Sequence, residues 1–515
     1  MSLSGSHAET LPDHRVRSLD LPVVLSLLVL LISPFLLLRM GMNIDASWII
    51  TMSERVLAGD HLYIDIIETN PPFTLWMYLP VVALAKWLNI SPELSIYAYA
   101  YAVCLGGLAF AALIVRRAEF AERSELYAIL PAFAALLVIF PGHAFTEREH
   151  FGIALLLPLL ALLAWRATPD RARPGLALAI GAGVCGSVIV LIKPYYAVMI
   201  LAPAIWVAWR RRSFAALFAP ELLTIGFVCV AYLAVVYKFH PEFITDLYPM
   251  LERTFMRVAI AATPLRVYGP TIAIICLLIY GHREQSRLTP LTTIALLSAS
   301  AGLIPLCYQG KGWVNHAYPA EFLFLSVLAL STWRSIKASR TQPLGLILTL
   351  VALVLVNSPY QTLERPTART YETIRAAVQN PKVAQIGSGL ESGHPLTRSV
   401  GGIFVGAYAS DWLGAMALLW GMSDGYEGNA KAAAYYKGIL DKYVAHRSAE
   451  LKSSNPEIVV IQKRDEHWTD WFIAQPAMAG FMDRYELLVE DSGILVYLLK
   501  QDYRERPRAQ RQAQG

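Results

Sequence analysis

The chain has 515 residues, of which 56% belong to the apolar set AVILMFWYC and only 16% are charged, with a mean hydropathy of +0.44. Soluble domains carry about a quarter charged residues, so this composition argues against a water-soluble two-domain enzyme and excludes disorder, a collagen-like repeat and a disulfide scaffold. A formal net charge of +5, from 44 Lys and Arg against 39 Asp and Glu, is too small for a nucleic-acid binder of this size.

A polar tail, residues 1–20, carries Arg15 and Arg17 and precedes the first apolar run, Leu21 to Leu38. That run is long enough to span a bilayer and has no small-residue cleavage site, so it reads as a retained signal-anchor with a cytoplasmic N-terminus. Further apolar runs follow at 73–88, 95–115, 126–141, 151–165, 175–192, 195–209, 216–237, 267–281, 288–307, 318–333 and 343–357. Short basic clusters separate several of them: Arg116/Arg117/Arg123, Arg166/Arg171/Arg173, Arg210/Arg211/Arg212, Arg283/Arg287 and Arg334/Lys337/Arg340. The positive-inside rule places all five clusters in the cytoplasm if one early segment does not cross. Segment 73–88, opened by Pro71-Pro72, broken by Pro80 and carrying Lys86, is that segment, lying along the outer interface or re-entering. About eleven crossings remain, which leaves the C-terminus outside. Loop 238–266 strains this threading, because Lys238, Arg253, Arg257 and Arg266 then also lie outside.

Beyond residue 357 the character changes. Residues 358–500 mix polar helical stretches (429–446, 465–475) with strand-like runs at Val383–Gly387 and Ile458–Gln462 and a hairpin over 485–499. The expected fold class is therefore an all-α polytopic membrane protein, residues 21–357, with a small extracytoplasmic α/β domain, 358–500, and a disordered polar tail, 501–515. The five cysteines, Cys104, Cys185, Cys229, Cys276 and Cys307, sit in apolar runs at no metal-ligand spacing and read as apolar fillers.

With this threading the uncommon polar residues gather on one side. The first outer loop holds Asp45, Asp60, Asp65 and Glu68, closed by Asn70-Pro71-Pro72; the second holds Thr146-Glu147-Arg148-Glu149-His150. The third is Lys193-Pro194-Tyr195-Tyr196, and a later one runs from Gln309 through Lys311, Trp313 and Asn315 to His316. Ionisable groups at membrane depth cost a few kcal/mol each and are normally kept for pathways or sites, so four such loops point to one outward-facing pocket. Each residue also has a plainer reading. Asp45 can be a helix N-cap, Arg148 and Glu149 a local ion pair, and Lys193 and Lys311 side chains that snorkel to headgroups. Glu147 and His150 form a Glu-x-x-His pair that can ligate a divalent metal from one helical face. Lys311 lies between two glycines, where backbone can approach a ligand closely. Tyr195, Tyr196 and Trp313 suit either an interfacial belt or sugar platforms.

The stretch from Asn43 to Leu88, with Asp45, Leu57-Ala58-Gly59 and Glu68-Thr69-Asn70-Pro71-Pro72, resembles the opening of GT-C integral-membrane glycosyltransferases. It is most similar to the protein O-mannosyltransferase and lipid A aminoarabinose transferase branch, whose second acidic motif corresponds to Glu147–His150. The resemblance implies a polyprenyl-phosphate sugar donor, an extracytoplasmic site in the bacterial inner membrane, and inverting transfer to a hydroxyl of a lipid, polysaccharide or protein. It makes Asp45 the general base, with Lys193, Lys311 and Arg148 as candidate cations for the leaving phosphate. Glu68, Glu149 and His150 would hold the sugars, with Glu147, Tyr195 and His316 beside them. Family members differ in metal use, so a divalent metal stays open. The sequence departs from the pattern where Ala46 follows Asp45 and where Asn70 stands before Pro-Pro, a position at which some relatives carry Lys. Two other readings remain: a polysaccharide polymerase or ligase using diphosphate-linked oligosaccharides, and a secondary transporter.

Overall fold

The computed structural model describes residues 21–169, 171–258, 260, 262–282, 289–338, 366–463, 466–491 and 493–504. The expected run 343–357 lies outside them, as do the tails 1–20 and 505–515.

The membrane part is all helical. It comprises α1 (Leu21–Met40), α2 (Ile44–Leu57), α3 (Phe73–Leu88), α4 (Pro92–Arg117), α5 (Arg123–Val138), α6 (Arg148–Arg166) and α7 (Leu176–Ile192). There follow α8 (Val198–Arg211), α9 (Pro220–Phe239), α10 (Tyr248–Arg253), α11 (Ala262–Gly281), α12 (Pro290–Gln309) and α13 (Val314–Ala338). Among the described residues six helices, α1, α4, α6, α9, α11 and α12, are long and apolar enough to cross a membrane. Segments within α3, α5 and α7 are shorter but equally apolar. Backbone groups in hydrocarbon have no water to bond, so a chain of this composition satisfies them internally as helix.

Helix α6 is the axis of the bundle and is buried over nearly its whole length. It packs against α4 and α7, and α4 approaches closely because Gly107 has no side chain; a Cβ there would collide with the Ala154 carbonyl. At its C-terminal end the carbonyls left open by the helix accept from arginines: Arg211 Nε bonds Arg166 O and Arg210 Nε bonds Ala167 O at 3.1 Å. Arg166 in turn forms a two-pronged pair with buried Glu221 at 2.9 Å, and Arg171 reaches Glu119 at 3.0 Å. Three of the basic clusters thus meet at one end of the bundle. The 19 residues of α6 put its other end, starting at Arg148, about 28 Å away.

The C-terminal α/β part contains α14 (Ala368–Ala377), β1 (Lys382–Ile386), α15 (His394–Ser399), β2 (Ile403–Phe404), α16 (Trp412–Tyr426), α17 (Ala430–Ser454), β3 (Ile458–Gln462), α18 (Glu466–Ile473), β4 (Tyr485–Asp491) and β5 (Ile494–Leu499). The sheet order is β2-β1-β3-β5-β4, parallel over the first three strands and antiparallel over the last three. Residues Gln501–Arg504, expected to be tail, continue as a helical turn, because Lys500 N bonds Arg484 O and the Arg484 guanidinium lies over the Tyr503 ring.

This lobe sits on the end of the bundle where α6 begins. Arg398 bonds Glu54 of α2 with both terminal nitrogens, at 2.7 and 3.0 Å, and Glu93 of α4 with Nε at 2.6 Å. Arg55 NH1 donates to Gly406 O at 2.6 Å, and Ile67 N to Ala407 O at 2.8 Å. Arg257, one of the cations that strained the threading, pairs with Asp424 of α16. Its charge is compensated locally by the C-terminal lobe. Arg266 belongs to α11 rather than to the loop.

Candidate active site

Asp45 does not cap α2. Asn43 does, its Oδ1 accepting from Ala46 N at 2.8 Å, and this leaves the Asp45 carboxylate in the first turn free for another partner. That partner is Arg148, whose NH2 stands 2.5 Å from Asp45 Oδ2; the Asp45 side chain keeps 30% of its surface exposed against 4% for Arg148. Glu147 is the N-terminal flanking residue of α6. It accepts from Asn43 Nδ2 at 2.8 Å through Oε1 and lies 3.7 Å from Arg148 through Oε2. The positive end of the α6 dipole favours the acids at its first turn.

The turn that aims these residues is strained. Thr146, a β-branched residue, has φ +72°. Its backbone is held on both sides: Tyr78 OH donates to Thr146 O, and Thr146 N donates to His150 Nδ1 at 3.4 Å. The other ring nitrogen of His150, Nε2, donates to Leu137 O at 2.7 Å. His150 is therefore fully buried with both nitrogens used by backbone groups. It shapes the turn and is not brought to the ion network.

Glu149 heads a second branch. Its Oε1 accepts from Lys193 Nζ at 2.6 Å, and Lys193 also donates to Gln309 Oε1 at 2.9 Å and to His316 Nε2 at 3.1 Å. Asn315 Nδ2 approaches the other Glu149 oxygen at 3.5 Å, and Gln309 Nε2 reaches Tyr196 OH at 3.4 Å. All three ammonium hydrogens of Lys193 are thereby directed at protein acceptors. Tyr195 packs between Tyr196 and Tyr308, each ring centroid 5.4 Å away, outside this chain of bonds. Glu68 is buried and committed to its own loop: it accepts from Trp48 Nε1 at 2.6 Å and from Asn70 N at 2.8 Å.

Lys311 differs from the other cations. It sits in the turn between α12 and α13, flanked by Gly310 and Gly312 with φ +61° and +68°, conformations that favour glycine. Among the described residues no carboxylate pairs with it. Its Nζ lies 3.0 Å from the centroid of the Phe255 ring and 4.7 Å from that of Trp313. Burial, with Lys193 nearby and Asp45 opposing, pushes its pKa down to about 7.

The structure thus brings Asp45, Glu147, Arg148, Glu149, Lys193 and His316 into two adjoining ion networks that meet at successive residues of α6, with Lys311 at their margin. Glu68, His150 and Tyr195 adjoin them as supports. Cavities of about 310 Å³ lie away from these networks, one lined by Arg116, Glu119, Ala121 and Glu122 and one between α16 and α17. Two members escaped the sequence reading as site residues: Asn43 and Phe255. Asn43 was detectable as a capping residue two positions before an acid; Phe255 carried no signal within its loop. Among the described residues no three His, Cys, Asp or Glu side chains group to hold a metal ion.

No protein-family model matches the chain, and no curated protein matches it in sequence. In structure it is similar to ArnT from Cupriavidus metallidurans in the apo state, with a TM-score of 0.53 at 13% identity over 92% of this chain and 97% of that one. Helical bundle and C-terminal lobe are both included in a match of that extent. The chain accordingly shares the fold of ArnT, an all-α polytopic membrane bundle carrying a small α/β lobe.

Proposed function

We propose that the chain is a glycosyltransferase that moves a sugar from a polyprenyl-phosphate donor to a hydroxyl of an extracytoplasmic lipid, glycan or protein acceptor, with inversion. The observation that carries this reading is the Asp45–Arg148 pair, with its part-exposed carboxylate, at the same end of an ArnT-like bundle as Lys311, a cation with no carboxylate partner among the described residues.

In the proposed reaction Asp45 accepts the proton of the incoming hydroxyl while that oxygen attacks the anomeric carbon. The bond from this carbon to the donor phosphate breaks on the opposite face, which inverts the configuration and releases polyprenyl phosphate. Arg148 fixes the Asp45 carboxylate so that its exposed edge meets the hydroxyl. The leaving phosphate gains negative charge as the bond breaks, so a fixed cation stabilises the transition state more than the ground state. Lys193 is already neutralised by Glu149, and Arg148 by two acids. Lys311, in a turn between two glycines and with no carboxylate partner among the described residues, suits the phosphate best, and it takes the part that a lysine before Pro-Pro would play where Asn70 stands. Basic clusters at the far end of α6 support placing this site outside the cytoplasm of a bacterial inner membrane.

The test is mass analysis of envelope glycolipids, polysaccharides and glycoproteins from a deletion strain. Loss of one sugar from one acceptor class supports the reading, and an unchanged sugar inventory overturns it. Loss of whole repeating units instead points to a polymerase or ligase.

A further inference from the structure

Lys311 owes its surroundings to a segment far from it in sequence. Residues 253–257 join α10 to α11 and bring Phe255 onto the ammonium. This segment has little internal structure of its own, only a short helix ending at Arg253 and a single turn at Met256–Val258. Helices α16 and α17 of the C-terminal lobe grip it at consecutive points. Tyr436 OH donates to Arg253 O at 2.7 Å, and Trp420 Nε1 donates to Thr254 O at 3.1 Å. The Phe255 ring meets Trp412 edge-on at 5.6 Å. Arg257 forms a two-pronged pair with the Asp424 carboxylate, 2.8 Å on each side, while its guanidinium lies 4.5 Å from the Trp420 ring centroid. Asp424 is 4% exposed in its side chain, so this is a fixed carboxylate with a planar partner rather than a loose surface contact.

We propose that the C-terminal lobe positions the phosphate-binding lysine: the Asp424–Arg257 pair, with Trp420 and Tyr436, locks segment 253–257 so that Phe255 holds the Lys311 ammonium in place for the donor phosphate. This rests on the reading of Lys311 given above. A cation presented without a counter-ion needs rigid apolar support, since a four-carbon side chain left free would turn to the nearest acid or to water. Phe255 and Trp313 supply that support, and the lobe's Trp412 meets the Phe255 ring edge-on. Asp424 and Arg257 are positioning residues, since neither touches Lys311.

The experiment uses the full-length protein in detergent and undecaprenyl phosphate, the product shared by donors of any sugar, as the ligand. Dissociation constants are measured for wild type, Lys311→Ala, Asp424→Asn and the double variant, with the charge-swapped Arg257→Asp/Asp424→Arg protein as the rescue. We expect Lys311→Ala and Asp424→Asn each to weaken binding about tenfold and the double variant to be no weaker than Lys311→Ala alone, because both changes remove one interaction. The swapped pair recovers most of the wild-type affinity. If Lys311→Ala binds as wild type, the assignment of Lys311 itself fails. If Lys311→Ala is impaired but Asp424→Asn binds as wild type, or if the two losses multiply in the double variant, Lys311 stands and the positioning proposal is overturned.

Discussion

Arg148 reaches back across 103 residues of sequence to place NH2 2.5 Å from Asp45 Oδ2, and it is buried while the aspartate is not. An exposed acid anchored by a buried base is held at one edge and free at the other. Truncating Arg148 removes the anchor and leaves Glu147 buried without its nearest cation. Arg148→Ala should therefore abolish transfer and also lower thermal stability, since breaking a buried pair costs about 3–5 kcal/mol. Thermal unfolding of the purified protein checks this; an unchanged melting temperature contradicts the buried network.

The two lysines should separate cleanly. Lys193→Met strands the fully buried Glu149, so it should destabilise the fold strongly, again by about 3–5 kcal/mol. Lys311→Met removes a cation with no carboxylate partner among the described residues and should leave the melting temperature nearly unchanged while weakening undecaprenyl phosphate binding. Equal destabilisation by both changes refutes the distinction.

Lys311 also gives a pH signature. Burial and Lys193 lower its pKa to about 7, with Asp45 acting the other way and His316 beside Lys193 as the remaining titratable neighbour. The ammonium is present below that pH and lost above it, so polyprenyl-phosphate affinity should fall as pH rises through about 7. In Lys311→Arg the charge persists and the fall should disappear, because a guanidinium does not titrate in this range. A fall that survives in Lys311→Arg assigns it to another group.

Sidedness is checked with an impermeant maleimide on intact cells. His61→Cys, with a side chain 76% exposed on the loop after α2, should label from outside, and Arg212→Cys at the opposite end of the bundle only after permeabilisation. The reverse pattern removes the extracytoplasmic site.

Much of the architecture was legible because membrane helices are written in long apolar runs with basic ends. The strands at Ile458–Gln462 and 485–499 were equally plain, being β-branched runs and a hairpin around Gly493. Helices α15 and α16 were not, because glycines recur within and around them and tertiary packing decides their conformation. At the site, the convergence of distant polar loops could be inferred from threading alone. The partner of each side chain could not. Nothing in the local sequence tells that Lys193 is consumed by Glu149, or that His150 turns its ring to Thr146 and Leu137. The Lys193–Glu149 and His150–Leu137 contacts span 44 and 13 residues of sequence.

The most direct measurement of the central claim is complementation of the deletion strain with Asp45→Asn, an isosteric change that keeps the helix and removes the charge. General-base contributions are about 10²–10⁴-fold, so the variant should reach wild-type levels in the membrane yet leave the missing envelope sugar missing. Restoration of that sugar to the wild-type amount by Asp45→Asn would contradict the account.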